Sequence, residues 1–283
     1  MTADPEPWSA DKVDDLVALC DTAMSGEHLT ADELAACCFD DPGVVLGTPD
    51  ADAAIALCTR ELGDRTVAFV KLLAVVPAAQ RTGLGRSLLA TAVDWARAAD
   101  ARALAIGGSA PFYLWPGIDV RMTAMLALAE SAHFTPGAVA LNMSAPTTFR
   151  APGPDGMELR RALGDDDEAA TIALCCAHWP HWEAELRRGL EQGSCLVAAS
   201  SSGEVTGFAC HSVNRAGWVG PIATDPAHQH KGIAAGLMSE VCRDLAVAGH
   251  VEAEISWVGP IGFYSKAMGA SVSRTCVTYQ RSL

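Results

Sequence analysis

The sequence predicts two α+β domains in tandem, each a mainly antiparallel mixed sheet flanked by helices. Three observations predict it. A Pro- and Gly-rich stretch without apolar periodicity, residues 145–156, lies near the middle of the 283 residues. The order of elements is the same on either side of it. One strand-turn-helix segment, LLAVVPAAQRTGLGRSLL at 72–89, returns at 220–238 as GPIATDPAHQHKGIAAGLM. The domains are therefore expected at 1–148 and 149–283.

In the first domain, Val13, Leu16, Val17 and Cys20 recur at helical spacing and predict a helix over 9–24. A second helix is expected at 31–38. Strands follow at 43–46, 53–59 and 66–75, then a helix at 83–99, a strand at 101–106, a helix at 120–132 and a strand at 139–144. The second domain opens with a strand at 157–161. Asp165, with Glu168 three residues on, reads as the cap of a helix ending near Cys176. A helix at 182–190 and strands at 195–200, 205–213 and 218–224 come next. A helix at 232–248, a strand at 251–257, a helix at 262–268 and a strand at 271–281 complete it. Each half is thus an antiparallel sheet with one parallel crossover.

Composition narrows the function. Half of the residues are apolar and the formal net charge is -14. So acidic a chain lacks the clustered Lys and Arg that nucleic acid requires, and it disfavours anionic membrane surfaces. No apolar run reaches membrane-spanning length, and the acidic start MTADPEPWSADKVDD, without an apolar core, is not expected to act as a signal peptide. The ten cysteines form no CxxC pair, and no His stands at metal-ligand spacing from them. They read as buried free thiols of a cytoplasmic protein, with no metal site.

The repeated turn carries the chemistry. Both copies hold Gln, two residues, Gly, one residue, then Gly or Ala: Gln80, Gly83 and Gly85, then Gln229, Gly232 and Ala234. A turn entering a helix leaves its first N–H groups without intrahelical partners, and the helix dipole adds to their pull on an anion. Small residues let the backbone approach phosphate oxygens closely. The helix that follows keeps an apolar stripe for the sheet, Leu84 and Leu88 in one copy and Ile233, Leu237, Val241 and Leu245 in the other. A dinucleotide fingerprint would want a third Gly where Leu88 stands, and neither copy ends in the Gly-Lys-Ser/Thr of an NTPase loop.

Both turns resemble the acetyl-CoA motif of the GNAT acetyltransferase superfamily, and the resemblance covers both halves. It implies acetyl-CoA as cofactor. It implies a pantetheine arm held by the strands Leu73, Ala74, Val75 and Ile222, Ala223, Thr224. It also implies a diphosphate on the N–H groups of Arg81, Thr82, Gly83, Leu84, Gly85 and Arg86, and of His230, Lys231, Gly232, Ile233, Ala234 and Ala235. Arg81, Arg86, His230 and Lys231 could add charge to the phosphates.

Acetyl transfer needs a neutral amine, a stabilised oxyanion and a proton or hydrogen bond for the leaving thiolate. Members of the superfamily often use a Tyr on the helix after the fifth strand for the last task. Tyr264 matches the family's Phe-Tyr-x-Lys-x-Gly pattern apart from one inserted residue, Met268, whereas counting back in the first half puts Leu128 there. The resemblance therefore implies a catalytic C-terminal half and a degenerate N-terminal one. Tyr113, in the aromatic stretch SAPFYLWPGID, is an alternative acid or a packing residue.

In this fold the loop between the first two helices covers the acceptor, which points to Trp179, His181 and Trp182 and to an apolar or cationic amine. For a base, Glu252 and Glu254 alternate onto one strand face, His211 offers a pKa suited to the task, and a water chain would also serve. Glu254 is preferred. The expectation is an N-acetyltransferase acting on a small-molecule amine, as a monomer or homodimer. The alternative is a CoA-binding sensor or scaffold without catalysis.

Overall fold

Residues 5–283 are described by a computed structural model, in which the chain forms two units. Unit 1 runs to Ala140 and takes in Thr275–Leu283. Unit 2 is Leu141–Arg274.

Unit 1 contains β1 (Glu6–Trp8), α1 (Val13–Ala23), α2 (Ala31–Leu34), β2 (Gly43–Gly47), β3 (Ala53–Leu62), β4 (Arg65–Val75), α3 (Leu84–Ala98), β5 (Ala103–Ile106), β6 (Ile118–Asp119) and α4 (Thr123–Ser131). β7 (Thr135–Pro146) begins in unit 1 and ends in unit 2. β1 to β4 are antiparallel neighbours, and β4 and β5 are parallel. The first six residues of β3, AAIALC, are all buried, because both faces of the sheet are covered there. On one face α3 packs Leu84, Leu88, Leu89, Ala92, Val93 and Ala96. On the other lie Leu16, Leu19 and Cys20 of α1, with Leu34, Cys37 and Cys38.

Unit 2 repeats the plan with β8 (Met157–Arg161), α5 (Gly164–His178), α6 (Glu183–Glu191), β9 (Cys195–Ser200), β10 (Val205–His211), β11 (Trp218–Thr224), α7 (Ile233–Val247), β12 (Glu252–Ile255) and α8 (Ile261–Met268). β13 (Ser271–Ser282) starts here and ends in unit 1. β8 to β11 are antiparallel, and β11 and β12 are parallel. α7 covers one face through Ile233, Leu237, Val241 and Leu245, and α5 and α6 cover the other.

The strand that completes each sheet comes from the other half of the sequence. Beside β5 lies the end of β13, with Tyr279 opposite Ile106. Beside β12 lies the end of β7, with Met143 opposite Ile255 and Ala145 opposite Ala253. The units thus divide at Ala140/Leu141 and Arg274/Thr275, where the sequence suggested one cut at 148/149. Strand pairing is a non-local choice that β-propensity along the chain does not encode.

Two local expectations are corrected. Asp165 does not cap α5. That helix starts at Gly164 (φ 74°) behind Leu163 at the N-cap, and no side chain caps it; Asp167, inside the first turn, reaches back to accept from the Leu163 N–H (2.8 Å) and from the Arg160 guanidinium. The box of reciprocal bonds opens α2 instead: Thr30 Oγ1 accepts from the Glu33 N–H (3.2 Å) and Glu33 Oε2 from the Thr30 N–H (2.8 Å). The helix expected through Cys38 loses α-helical bonding after Leu34 and widens into a π-turn over Ala35–Phe39, closed by Asp40 N–H donating to Ala35 O.

Candidate active site

β11 is paired on one side only for part of its length. Its parallel pairing with β12 covers Trp218 and Val219 and closes with the Ser256 N–H donating to Val219 O (3.4 Å). Its antiparallel pairing with β10 continues to Thr224. The backbone of residues 220–224 therefore presents a free edge, and a cleft opens along it. In unit 1 the parallel pairing ends at Val70, whose carbonyl accepts from the Gly107 N–H (3.0 Å), and β4 runs on to Val75 paired with β3 alone. Each unit holds a splayed strand pair, at the strand to which the resemblance assigned the pantetheine arm.

At the end of each splayed strand the turn has one geometry. Arg81 and Gly83 have φ of 66° and 98°; His230 and Gly232 have 63° and 82°. A non-glycine residue in this left-handed region costs about 1–2 kcal/mol, and it occurs at the same place in both copies. Alternating hands turn successive N–H groups into one concavity, which suits an anion. Gly83 and Gly232 stand at the N-caps of α3 and α7, and no side chain caps either helix. Gln80 Nε2 donates back to Val75 O (3.0 Å) and Thr82 Oγ1 to Ala79 O (2.7 Å), which tightens the first turn. In the second, Asp225 Oδ1 accepts from the Ala227 N–H (2.7 Å).

The cleft of unit 2 has a volume of about 430 Å³. Its walls include Ile222, Ala223, Thr224, Gln229, His230, Gly232, Ile233, Ala234, Ala235, Tyr264, Trp179 and Trp182 from the sequence reading, joined by His228, Pro260 and Phe263. Lys231, His181 and Glu254 are not among them. Lys231 and His181 are exposed. Glu254 is engaged on β12, accepting from Asn142 Nδ2 (2.6 Å) and paired with Arg274 Nε (3.2 Å). Glu252 accepts from Ser144 Oγ (2.8 Å). His211 lies outside the cleft, 3.3 Å from Asp244 and 3.2 Å from Ser212 Oγ. Burial lowers its pKa, against the pull of Asp244. No candidate base from the sequence reading reaches the cleft walls.

Tyr264 sits on the first turn of α8, 4% exposed, its ring edge-on to Phe263 at 4.9 Å. Among the described residues its hydroxyl has no hydrogen-bond partner, and burial pushes the phenol well above its usual range. Two polar atoms on the cleft residues are buried without a hydrogen-bond partner, Thr224 Oγ1 and His228 Nδ1, the latter 3.9 Å from Asp225 Oδ1. A buried polar group without a partner costs about 1–3 kcal/mol, so the site is built to receive polar atoms of a ligand. The amides and hydroxyl of a pantetheine arm are such atoms. His228 shows no motif signal for this, because the isolation of its ring nitrogen arises from packing.

The cleft of unit 1 is larger, about 720 Å³, and is lined by Leu73, Ala74, Val75, Gln80, Arg81, Thr82, Gly83, Gly85 and Arg86 together with Met122, Met125 and Leu128. Leu84 points away into the core. A Cβ on Gly85 would lie 3.1 Å from Leu128 Cδ2, so the Gly is small because Leu128 closes over the turn. No Tyr lines this cleft among the described residues. Tyr113 is buried elsewhere in the unit.

Duplicated anion-binding turns, each beside a splayed strand, define a transferase fold that binds an acyl-CoA. The chain belongs to the acetyltransferase (GNAT) family: the family matches residues 10–113 and 161–270, more than half of the chain, once in each repeat. Members are acyltransferases. Solved structures agree on the fold. The GCN5-related glucosamine N-acetyltransferase region of a fungal multi-domain β-N-acetylglucosaminidase superposes with a TM-score of 0.78 at 15% identity, over 99% of this chain and 38% of that larger one. A tandem GNAT protein from the clavulanic acid biosynthesis pathway gives 0.74 at 15% identity over 98% of both chains. A GCN5-related N-acetyltransferase from Sphaerobacter thermophilus gives 0.69 at 18% identity over 98% and 95%. A sequence search of curated proteins finds no match. No helix among the described residues is long and apolar enough to cross a membrane, and no group of three or more His, Cys, Asp or Glu there is placed to hold a metal ion.

Proposed function

We propose that unit 2 transfers the acetyl group of acetyl-CoA to the primary amine of a small molecule by direct attack on the thioester. The observation that carries this reading is Tyr264, a buried phenol without a partner in the cleft where the free edge of β11 meets the turn at 229–235. The N–H groups of residues 230–235 grip the diphosphate. The open backbone of residues 222–224 aligns the pantetheine arm, with Thr224 and His228 supplying side-chain contacts. The amine nitrogen attacks the carbonyl, the C–S bond breaks, and Tyr264 gives its proton to the departing thiolate. A phenol with a raised pKa stays protonated at neutral pH and so holds that proton in readiness.

Unit 1 is the degenerate copy. It keeps the turn and the splayed strand, which supports CoA binding, but Leu128 replaces the proton donor. The ten free thiols, nine of them buried, suit a reducing cytoplasm.

The test is Tyr264→Phe. Turnover should fall by about 10²-fold, with acetyl-CoA affinity unchanged by calorimetry. Lost affinity with unchanged turnover would make Tyr264 a packing residue. Two CoA per chain would show that unit 1 binds; one would leave it structural. CoA binding without consumption of any thioester would favour the sensor reading.

A further inference from the structure

The walls of the unit 2 cleft divide by chemistry. Its polar groups come from the end of β11 and the turn, at Thr224, His228, Gln229 and His230. The rest is aromatic and apolar: Trp179 and Trp182 from the α5–α6 connection, and Pro260, Phe263 and Tyr264 from α8 and its approach. Trp179 and Trp182 are stacked on each other, centroids 5.8 Å apart and planes within 15°. Phe263 meets Tyr264 edge-on. Such surfaces take up flat rings through their faces and edges.

Among the described residues, no carboxylate lines this cleft. The acidic groups nearest in sequence to its walls are committed to other partners: Asp225, next to Thr224, accepts from the Ala227 N–H (2.7 Å) and stands 3.9 Å from His228 Nδ1. Glu183, next to Trp182, is paired with Arg187 (2.7 Å) and accepts from the Cys176 thiol (3.3 Å). Glu185 is buried with Asn214 as its partner. Glu254 is held by Asn142 and Arg274. An alkylammonium entering here would meet no uncommitted carboxylate on the walls, either as a counter-charge or to take its proton before attack. An amine whose conjugate acid ionises below neutral pH needs neither.

From this arrangement we infer that the acceptor is an arylamine, a primary amino group borne directly on an aromatic ring that lies against Trp179 and Trp182. The inference rests on the acetyl-transfer reading of this cleft and names its substrate class. The step balances without a protein base. The neutral nitrogen forms the C–N bond, the C–S bond breaks, and the thiolate takes the Tyr264 proton. The proton shed by nitrogen then returns to the phenolate through water. Arylamine and acetyl-CoA give the anilide and free CoA.

4-Methylaniline and benzylamine test this directly, because they are isomers that differ in whether nitrogen is attached to the ring. The full chain is given acetyl-CoA and each amine in turn, and release of the CoA thiol is followed. 4-Methylaniline should be preferred in kcat/KM by at least about tenfold, the scale on which a pocket separates closely matched substrates. Trp182→Leu should raise the KM for 4-methylaniline by about tenfold, the loss expected of one stacking contact. Trp182→Phe, which keeps a ring, should restore most of it. Acetyl-CoA affinity by calorimetry shows that both variants fold. Preference for benzylamine overturns the arylamine assignment and leaves acetyl transfer standing, as does a KM indifferent to both variants. If neither isomer, nor any wider set of amines, consumes acetyl-CoA that is bound, the acetyl-transfer reading itself fails.

Discussion

Glu185 tests the account of unit 2 through stability. It lies on the buried face of α6, and its carboxyl accepts one hydrogen bond, from Asn214 Nδ2 at 2.9 Å. Burial raises its pKa from 4.5 to about 8, with the Asn214 bond opposing the rise. The native state therefore holds this proton more tightly than the unfolded chain does. Its contribution to stability is whole below the unfolded pKa and is lost as pH rises through the folded one. Each pH unit in the window between about 4.5 and 8 removes about 1.4 kcal/mol, so roughly 3 kcal/mol is gone by pH 7 and about 5 kcal/mol above pH 8. Glu185→Gln keeps the shape and an oxygen to accept from Asn214, and it does not titrate. The assay is thermal or urea unfolding of both proteins from about pH 5 to pH 9, following the transition of unit 2. The variant's advantage should grow across that range and reach on the order of 10 °C in Tm. Other titrating groups cancel in the difference between the two proteins. Parallel profiles would refute the claim that this buried carboxyl is desolvated.

Other substitutions probe separate parts of the fold. Gly232→Ala has open space around the new methyl, so its effect is backbone strain at φ 82°: about 1–2 kcal/mol of stability, with weakened CoA binding in unit 2 by calorimetry. Asp41→Asn leaves Lys71 and Arg60 without the carboxylate that both share, with the Lys71 side chain 1% exposed, and should cost about 3–5 kcal/mol in unit 1 by denaturant titration. Asn142→Ala removes the donor to Glu254 and the acceptor of the Trp257 N–H (3.0 Å). It should lower unit 2 stability by about 1–3 kcal/mol, measured in the same way.

The candidate site was legible where local backbone chemistry decided it. Gln80, Gly83 and Gly85, and Gln229, Gly232 and Ala234, mark turns whose conformation is a property of a few consecutive residues, and both turns have the same dihedral pattern. Tyr264 was legible from its helix, and Trp179 and Trp182 from their loop; all three line the cleft. Glu254 was chosen because strand alternation put it on a face. Alternation says which face a side chain takes but not what stands there, and on that face Asn142 and Arg274 hold it. His228 carried no signal, because a buried ring nitrogen without a hydrogen bond exists only once the surrounding walls are packed.

By itself the sequence determined that there are two copies of one α+β plan and that each carries the same glycine-containing turn into a helix. Turns and amphipathic periods arise from interactions over a few residues, so they survive in a one-dimensional reading. Only the tertiary structure decided that β13 completes the sheet beside β5 and that β7 ends beside β12. It alone decided which polar atoms line a cleft and which are spent on ion pairs. Those outcomes depend on which distant segments meet, and that is set by the free energy of the packed whole rather than by the preference of any one stretch.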